Sequence, residues 1–341
     1  MTINLSALAN THRLLFAIPL EPVLGKRFQP TGFPSLGAAT FQTSEGQSLL
    51  VESAQSMANR LEMTLWDDAK QDVKDELNGI SHVKVLRQGK FLTDTILESH
   101  RINSPYILEG ADKKFYNELK ESLGVLAEGP IDRRVLADAL LKYDVGSLLH
   151  GVFIAKKELA GGRLRVARAL SAFIEADGVR VAASGGVKND HVNPSGDTKS
   201  GFGNVPFARD EFTADNITLY VNLDLAQIRG YGLGADVERL LILLALYKLR
   251  TLVDGGMRLR TACDFKLEDD SGNISAMQPK EFTLPSFSDM TTDLKAAIQS
   301  CKERMAVTEV TFNDELKKGK EDKGNGSDES ETGDDEEGAE A

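Results

Sequence analysis

The stretch NITLYVNLDLAQI, residues 216–228, places Ile217, Leu219, Val221, Leu223 and Leu225 at every second position, with Thr218, Tyr220, Asn222 and Asp224 between them. Side chains alternate across a strand, so this pattern predicts a β-strand with one face on a core. After RGYGLG, residues 229–234, the segment ADVERLLILLALYKLRTL (235–252) is apolar around most of its circumference and predicts a helix buried on several sides. The Gly-rich DGGMRLRTACDF then leads into a last strand. Upstream, RLLFAIPLEPVL puts Leu14, Phe16, Ile18 and Leu20 on one side, as a strand would, and Pro19 and Pro22 suggest that it frays or lies near an edge.

Between these ends, LVESAQSMANRLE (50–62) spaces Val51, Ala54, Met57, Ala58 and Leu61 as a helix stripe, with Ser44 and Gln47 as a capping pair. Its other face carries Glu52, Ser53, Gln55, Ser56, Asn59 and Arg60, mostly short neutral hydrogen-bonding groups that suit a polar ligand. From Trp66 to Tyr143 the pattern reads as mostly helical. HGVFIA (150–155) resumes the sheet, and RVARALSAFIEADGVRVAAS reads either as a helix ending near Asp177 or as a hairpin turning at Asp177-Gly178, with the hairpin preferred. Residues 184–212 are Gly-rich without periodicity, too long for an ordinary connection. The order strand, helix, insertion, strands, helix, strand predicts an α+β, ferredoxin-like sheet.

Hydrophobic residues make up 41% and charged residues 27%, which fits a soluble protein, and no run of eighteen apolar residues or cleavable leader occurs, so a cytoplasmic location is expected. Cys263 and Cys301 lie far apart and near no histidine, as reduced structural thiols do. The net charge is -12, but GNGSDESETGDDEEGAEA (324–341) holds eight acids and no base; with it set aside the other 323 residues carry -4. Such a tail is expected to be disordered, and net charge does not exclude a nucleic-acid partner.

Catalytic constellations are sparse. The five histidines form no HxxxH or HxH pair, and neither GxxxxGK[ST] nor GxSxG is found, so neither a metal nor a cofactor is expected. Asp190 and His191 are the one pair placed for acid-base work. Glycine beside cations recurs instead: Gly25-Lys26-Arg27, Gly161-Gly162-Arg163 with Arg165 and Arg168, Gly185-Gly186 with Lys188, Arg229-Gly230, and Gly255-Gly256 with Arg258 and Arg260. Glycine permits close backbone approach and Arg offers a forked donor, a pairing suited to a phosphodiester backbone.

RFQPTGFPSLGAATF followed by LVESAQSMANRLE closely resembles the signature of the CRISPR-associated backbone subunit of the type I-U (I-G) surveillance complex, in the repeat-associated mysterious protein (RAMP) superfamily. GYGLGADVERLLILLALYKLR with GGMRLRT also resembles that superfamily, and the similarity runs over most of residues 13–312. The resemblance implies an RRM-like palm from 1–45 and 146–314, helical fingers from 46–145 and a thumb-like loop at 184–212; the acidic tail, 315–341, lies outside it and is expected to be disordered. It implies a non-catalytic subunit of a Cascade complex whose copies stack head to tail on a guide RNA (crRNA), present it for pairing with target DNA and contact the other subunits, with no membrane partner. The residues then expected at RNA are Lys26, Arg27, Gln29, Ser53, Gln55, Ser56, Asn59, Arg60, Lys188, Asn189, His191, Phe202, Arg229, Arg258 and Arg260. Lys156, Lys157, Arg163, Arg165 and Arg168 are expected at DNA or RNA. The competing reading is an RNA endonuclease of the same superfamily using Asp190 and His191; the missing motifs weigh against a small-molecule enzyme.

Overall fold

A computed structural model describes residues 3–33, 37–124, 131–269 and 271–314; the acidic tail lies outside them. Two units are present, Met1–Ala182 with Glu211–Asp314, and a second built on Ala183–Asp210. The first is mixed α/β around a seven-stranded sheet whose strand pairs are all antiparallel. In chain order its strands are β1 (Arg13–Pro22), β2 (Thr40–Thr43), β3 (Gly46–Glu52), β4 (Leu170–Asp177), β5 (Asn216–Asp224), β6 (Met257–Arg260) and β7 (Cys263–Leu267). In space they run β6-β7-β1-β5-β4-β3-β2.

Alternation explains the centre of this sheet. Leu14, Phe16, Ile18 and Leu20 of β1 are buried, as are Ile217, Leu219, Val221 and Leu223 of β5, and the two strands pair from Arg13 with Asp224 to Leu20 with Ile217. β1 is interior, contrary to the edge that its prolines suggest. Pro19 is tolerated because its ring nitrogen faces the β7 side, where the ladder covers only Leu20–Pro22 and Pro19 contributes its carbonyl to the Glu268 amide. Taken alone, β1, β4, β5 and β7 lie in the order 4-1-3-2, with a helix in each of two links.

Those helices are α1 (Ala54–Met63), against β4, and α2 (Ala235–Asp254). α1 starts later than expected. Leu49 and Val51 are buried in β3, and Ser53 caps the helix by accepting from the Ser56 amide at 3.2 Å, so Ser44 and Gln47 are not the cap. α2 is apolar on most sides and buries thirteen residues, and α3 (Phe287–Cys301), which the sequence reading missed, packs on it. Cys263 and Cys301 are buried and unbridged.

The helical expectation over 66–143 is corrected. Short strands run Trp66–Asp67, Asp72–Val73, His82–Arg87 and Lys90–Asp94, and the last two join Val307–Thr311 in a three-stranded sheet. Helices dominate only from Pro105. Val83 and Val85 alternate with partly exposed Lys84, a strand signal that neighbouring charge obscures. HGVFIA does not rejoin the main sheet: Val152–Ile154 pairs with Leu164–Val166 in a separate ribbon. At Gly178 (φ +61°) the chain turns between strands as the hairpin reading expects, yet β4 pairs with β5 and β3, whereas Arg180–Lys188 pairs with Val205–Thr213. The aperiodic 184–212 segment is therefore largely a two-stranded arm with its own tip.

Candidate nucleic-acid interface

Two glycine-cation stretches more than 200 residues apart in sequence meet in one groove. The loop 22–27 and the segment 255–258 line a cavity of about 560 Å³ that gathers Lys26, Arg27 and Arg258. Phe28 fixes the first loop: its ring is buried edge-on against Phe265 at 5.6 Å, and its amide and carbonyl both bond the backbone of Phe212 at 2.9 Å. The Gln29 amide donates to the Ala262 carbonyl at 2.8 Å and the Val23 amide to the Asp264 carbonyl at 2.9 Å. Gly25 (φ +72°) and Gly256 (φ +76°) take left-handed conformations that other residues adopt at a cost, and each lets its loop turn beside the cations.

Carboxylates restrain these cations loosely. Arg27 lies 3.5 Å from Glu211 and Arg258 3.8 Å from Asp264, with the Arg258 side chain 80% exposed. Weakly held, solvated guanidinium groups at a groove wall can exchange a carboxylate for a phosphate.

Arg60 and Arg260 are placed differently. Both reach the fully buried carboxylate of Glu52, Arg60 through Nε at 2.6 Å, and the Ser56 hydroxyl donates to the same group. Arg60 also donates to the Leu259 carbonyl at 2.5 Å, and Arg260 to the carbonyls of Gln29 and Val51 and to Sγ of Cys263, each at 3.3 Å. Burial pushes the Cys263 thiol up to about 11, so it stays protonated. Ser53, Ser56, Arg60 and Arg260 thus act first on the fold, capping α1 and tying it to Glu52 of β3 and Leu259 of β6, while Gln55 and Asn59 remain exposed on α1. Arg229 is held in a similar way: its three donor nitrogens go to Glu238 at 3.0 Å and to the carbonyls of Thr11 and Leu8 at 2.7 Å.

The remaining expected residues fall in two places. Lys188, Asn189, His191 and Phe202 are exposed on the Ala183–Asp210 unit, with Phe202 55% exposed. There Asp190 accepts from the amides of Val192 at 2.8 Å, Asn193 at 3.0 Å and Gly203 at 2.8 Å, bonds that hold its carboxyl below the usual range. This carboxylate ties a turn. Lys156, Lys157, Arg163, Arg165 and Arg168 surround the 152–166 ribbon, where Lys156 pairs with Glu109 and Arg163 Nε donates to the Ala160 carbonyl at 3.0 Å. Among the described residues no group of His, Cys, Asp and Glu is arranged to hold a metal ion, and no helix is long and apolar enough to cross a membrane.

A buried ionic cluster went unread in the sequence. Arg101 forms two 2.6 Å bonds with Glu62, Ser147 donates to Asp144 at 2.6 Å, and Lys248 donates to Nε2 of His150 at 2.8 Å. Burial raises the carboxyls of Glu62 and Asp144, holds His150 well below its usual value and brings Lys248 down to about 8. A lysine inside the apolar run LLILLALYKL is the signal that could have shown it.

Residues 14–181 match the family model described as CRISPR-associated protein GSU0053 (Cas_GSU0053). The match covers 168 of 341 residues, just under half, and includes the first groove loop, α1 and the 152–166 ribbon. Over that span the chain is similar to a CRISPR-associated family. No curated protein matches. Among solved structures, a chain titled "CRISPR RNA-guided surveillance complex, pre-nicking" aligns over 70% of each chain at 14% identity, with a TM-score of 0.33. A second, "Crystal structure of Thermofilum pendens Csc2", covers 87% of this chain and 77% of that one at 10% identity, with a TM-score of 0.32. Likenesses this distant assign no role to any residue.

Proposed function

We propose that the chain is the non-catalytic, guide-RNA-binding backbone subunit of a type I CRISPR surveillance complex of the I-U (I-G) kind. The observation that carries this reading is the groove in which Gly25-Lys26-Arg27 meets Gly255-Gly256-Met257-Arg258, inside a chain whose first half matches a CRISPR-associated family. The 4-1-3-2 order of β7-β1-β5-β4, with α1 and α2 in its links, supports a RAMP-type palm, and the Ala183–Asp210 arm supports a thumb. The groove binds phosphates and sugar hydroxyls without reading bases, so any spacer is accepted and base pairing with target DNA supplies specificity. Copies associate head to tail along the guide, a non-closing contact that generates a filament. With its carboxylate committed to three backbone amides, Asp190 makes a poor acid-base group, which favours binding over cleavage.

The test is binding of the full chain to single-stranded RNA, single-stranded DNA and duplex DNA over a salt series, with particle mass followed by light scattering. RNA binding that falls steeply with salt, mass that grows in proportion to RNA length, and weakening by combined Lys26→Ala, Arg27→Ala and Arg258→Ala are expected. RNA binding unchanged in that triple variant, or cleavage abolished by His191→Ala, overturns the proposal.

A further inference from the structure

The ribbon of Val152–Ile154 and Leu164–Val166 is built to present one aromatic-cation pair outward. Val152, Ile154 and Leu164 are buried, which turns the alternate residues Phe153 and Arg165 to the other face, where they are direct cross-strand partners. Phe153 is nevertheless 52% exposed, and the Arg165 guanidinium lies 5.8 Å from its ring centroid. Two glycines close the ribbon: a Cβ on Gly151 (φ +79°) would come within 2.7 Å of the Val166 carbonyl oxygen, and one on Gly162 (φ +72°) within 2.8 Å of that of Ala155. Residues 156–168 carry five cations against the single acid Glu158, in a chain of net charge -12.

We propose that this ribbon is a second nucleic-acid surface, for a single strand, in which one base stacks on Phe153 and the neighbouring phosphates meet Arg165 and Lys157. An exposed Phe ring offers a π-face to any base, and a guanidinium beside it extends the stack while neutralising phosphate, the combination by which unpaired strands are held without sequence preference. A local excess of positive charge in an acidic chain favours a polyanion over a protein surface. Lys156, tied to Glu109, is left out of the contact. The proposal uses none of the groove residues and stands independently of the function proposed above.

The experiment uses the full chain carrying Lys26→Ala, Arg27→Ala and Arg258→Ala, which separates the ribbon from the groove. Its binding to a 20-nucleotide single-stranded DNA, the same sequence as RNA, and the corresponding duplex is measured by anisotropy. Residual binding to the single strands is expected, weakened about ten-fold by Phe153→Ala and by Arg165→Ala. The half-exposed Phe153 permits a second variant: Phe153→Trp is expected to retain affinity and to show tryptophan fluorescence quenched by the strand, above the signal of the buried Trp66. RNA and DNA affinities from the same arms say which strand is preferred. Equal affinities with and without Phe153 and Arg165, the absence of any strand binding in the groove variant, or ribbon substitutions that change only self-association would each overturn the proposal.

Discussion

Arg258 and Arg260 are two residues apart on one strand and do opposite things. Arg258 stands 80% exposed at the groove wall with a carboxylate 3.8 Å away; Arg260 turns inward and joins Arg60 on buried Glu52. The same contrast separates Lys26 and Arg27, at the groove, from Arg229, whose donors hold the N-terminal segment. Glycine-cation adjacency in sequence therefore does not by itself say what the cation meets. What separates the two sets is how tightly each cation is held: Arg260 and Arg229 are bonded to carboxylate and carbonyl oxygens, whereas Arg27 stands 3.5 Å from the buried Glu211 carboxylate and Arg258 3.8 Å from Asp264.

The largest effect that would break this division is at Glu52. Glu52→Ala leaves two partly buried guanidinium groups without their anion and is expected to destabilise the chain by about 3–5 kcal/mol, read as a lower urea midpoint. A midpoint unchanged by this substitution would mean that Arg60 and Arg260 relax outward and belong with Arg258.

A deeper version of the committed cation is Lys248. The unfolded lysine titrates near 10.5 and the folded one at about 8, so between those values the unfolded chain binds a proton that the folded chain has released. Stability contributed by this group therefore rises with pH across that window, by about 3 kcal/mol in total. Lys248→Met is expected to abolish the rise, which is measured as the difference between its pH-stability curve and that of the parent from pH 7 to 10. Parallel curves would place the lysine in contact with water.

Arg229→Ala removes one ion pair and two bonds to carbonyls of the N-terminal segment, for an expected loss of about 1–3 kcal/mol. Its RNA affinity should show an unchanged salt slope. A reduced slope would move Arg229 to the ligand side of the comparison.

How much of this could be read beforehand follows the same line between periodic and non-local information. β1, β5 and α2 were legible because Leu14 to Leu20 and Ile217 to Leu225 alternate, and because 235–252 is apolar nearly all round. The strands at 66–94 were not, since two-residue strands have no period and Lys84 and Arg87 imitate a helix surface. The groove was legible in part: Lys26, Arg27 and Arg258 were named, but their meeting depends on β1 and β7 pairing over Leu20–Pro22. Arg60 was read as facing a ligand because its partner sits across the strand-to-helix turn; the i, i+4, i+8 spacing of Glu52, Ser56 and Arg60 was the available hint. Phe153 gave no signal at all, since only the burial of Val152, Ile154 and Leu164 shows which way its ring points.

The smallest structural effect and the sharpest functional one are expected together at Arg258→Ala. Its side chain is solvated and its ion pair long, so stability should change by no more than about 0.5 kcal/mol. If the guanidinium meets a phosphate of a single-stranded guide, the slope of log affinity against log salt should become shallower by about 0.7, with affinity reduced alike for unrelated RNA sequences. A titration of two unrelated RNAs at four salt concentrations reads both quantities. A loss confined to one sequence would make Arg258 a reader of bases, and an unchanged slope would leave the groove cations in the same class as Arg260, holding protein rather than RNA.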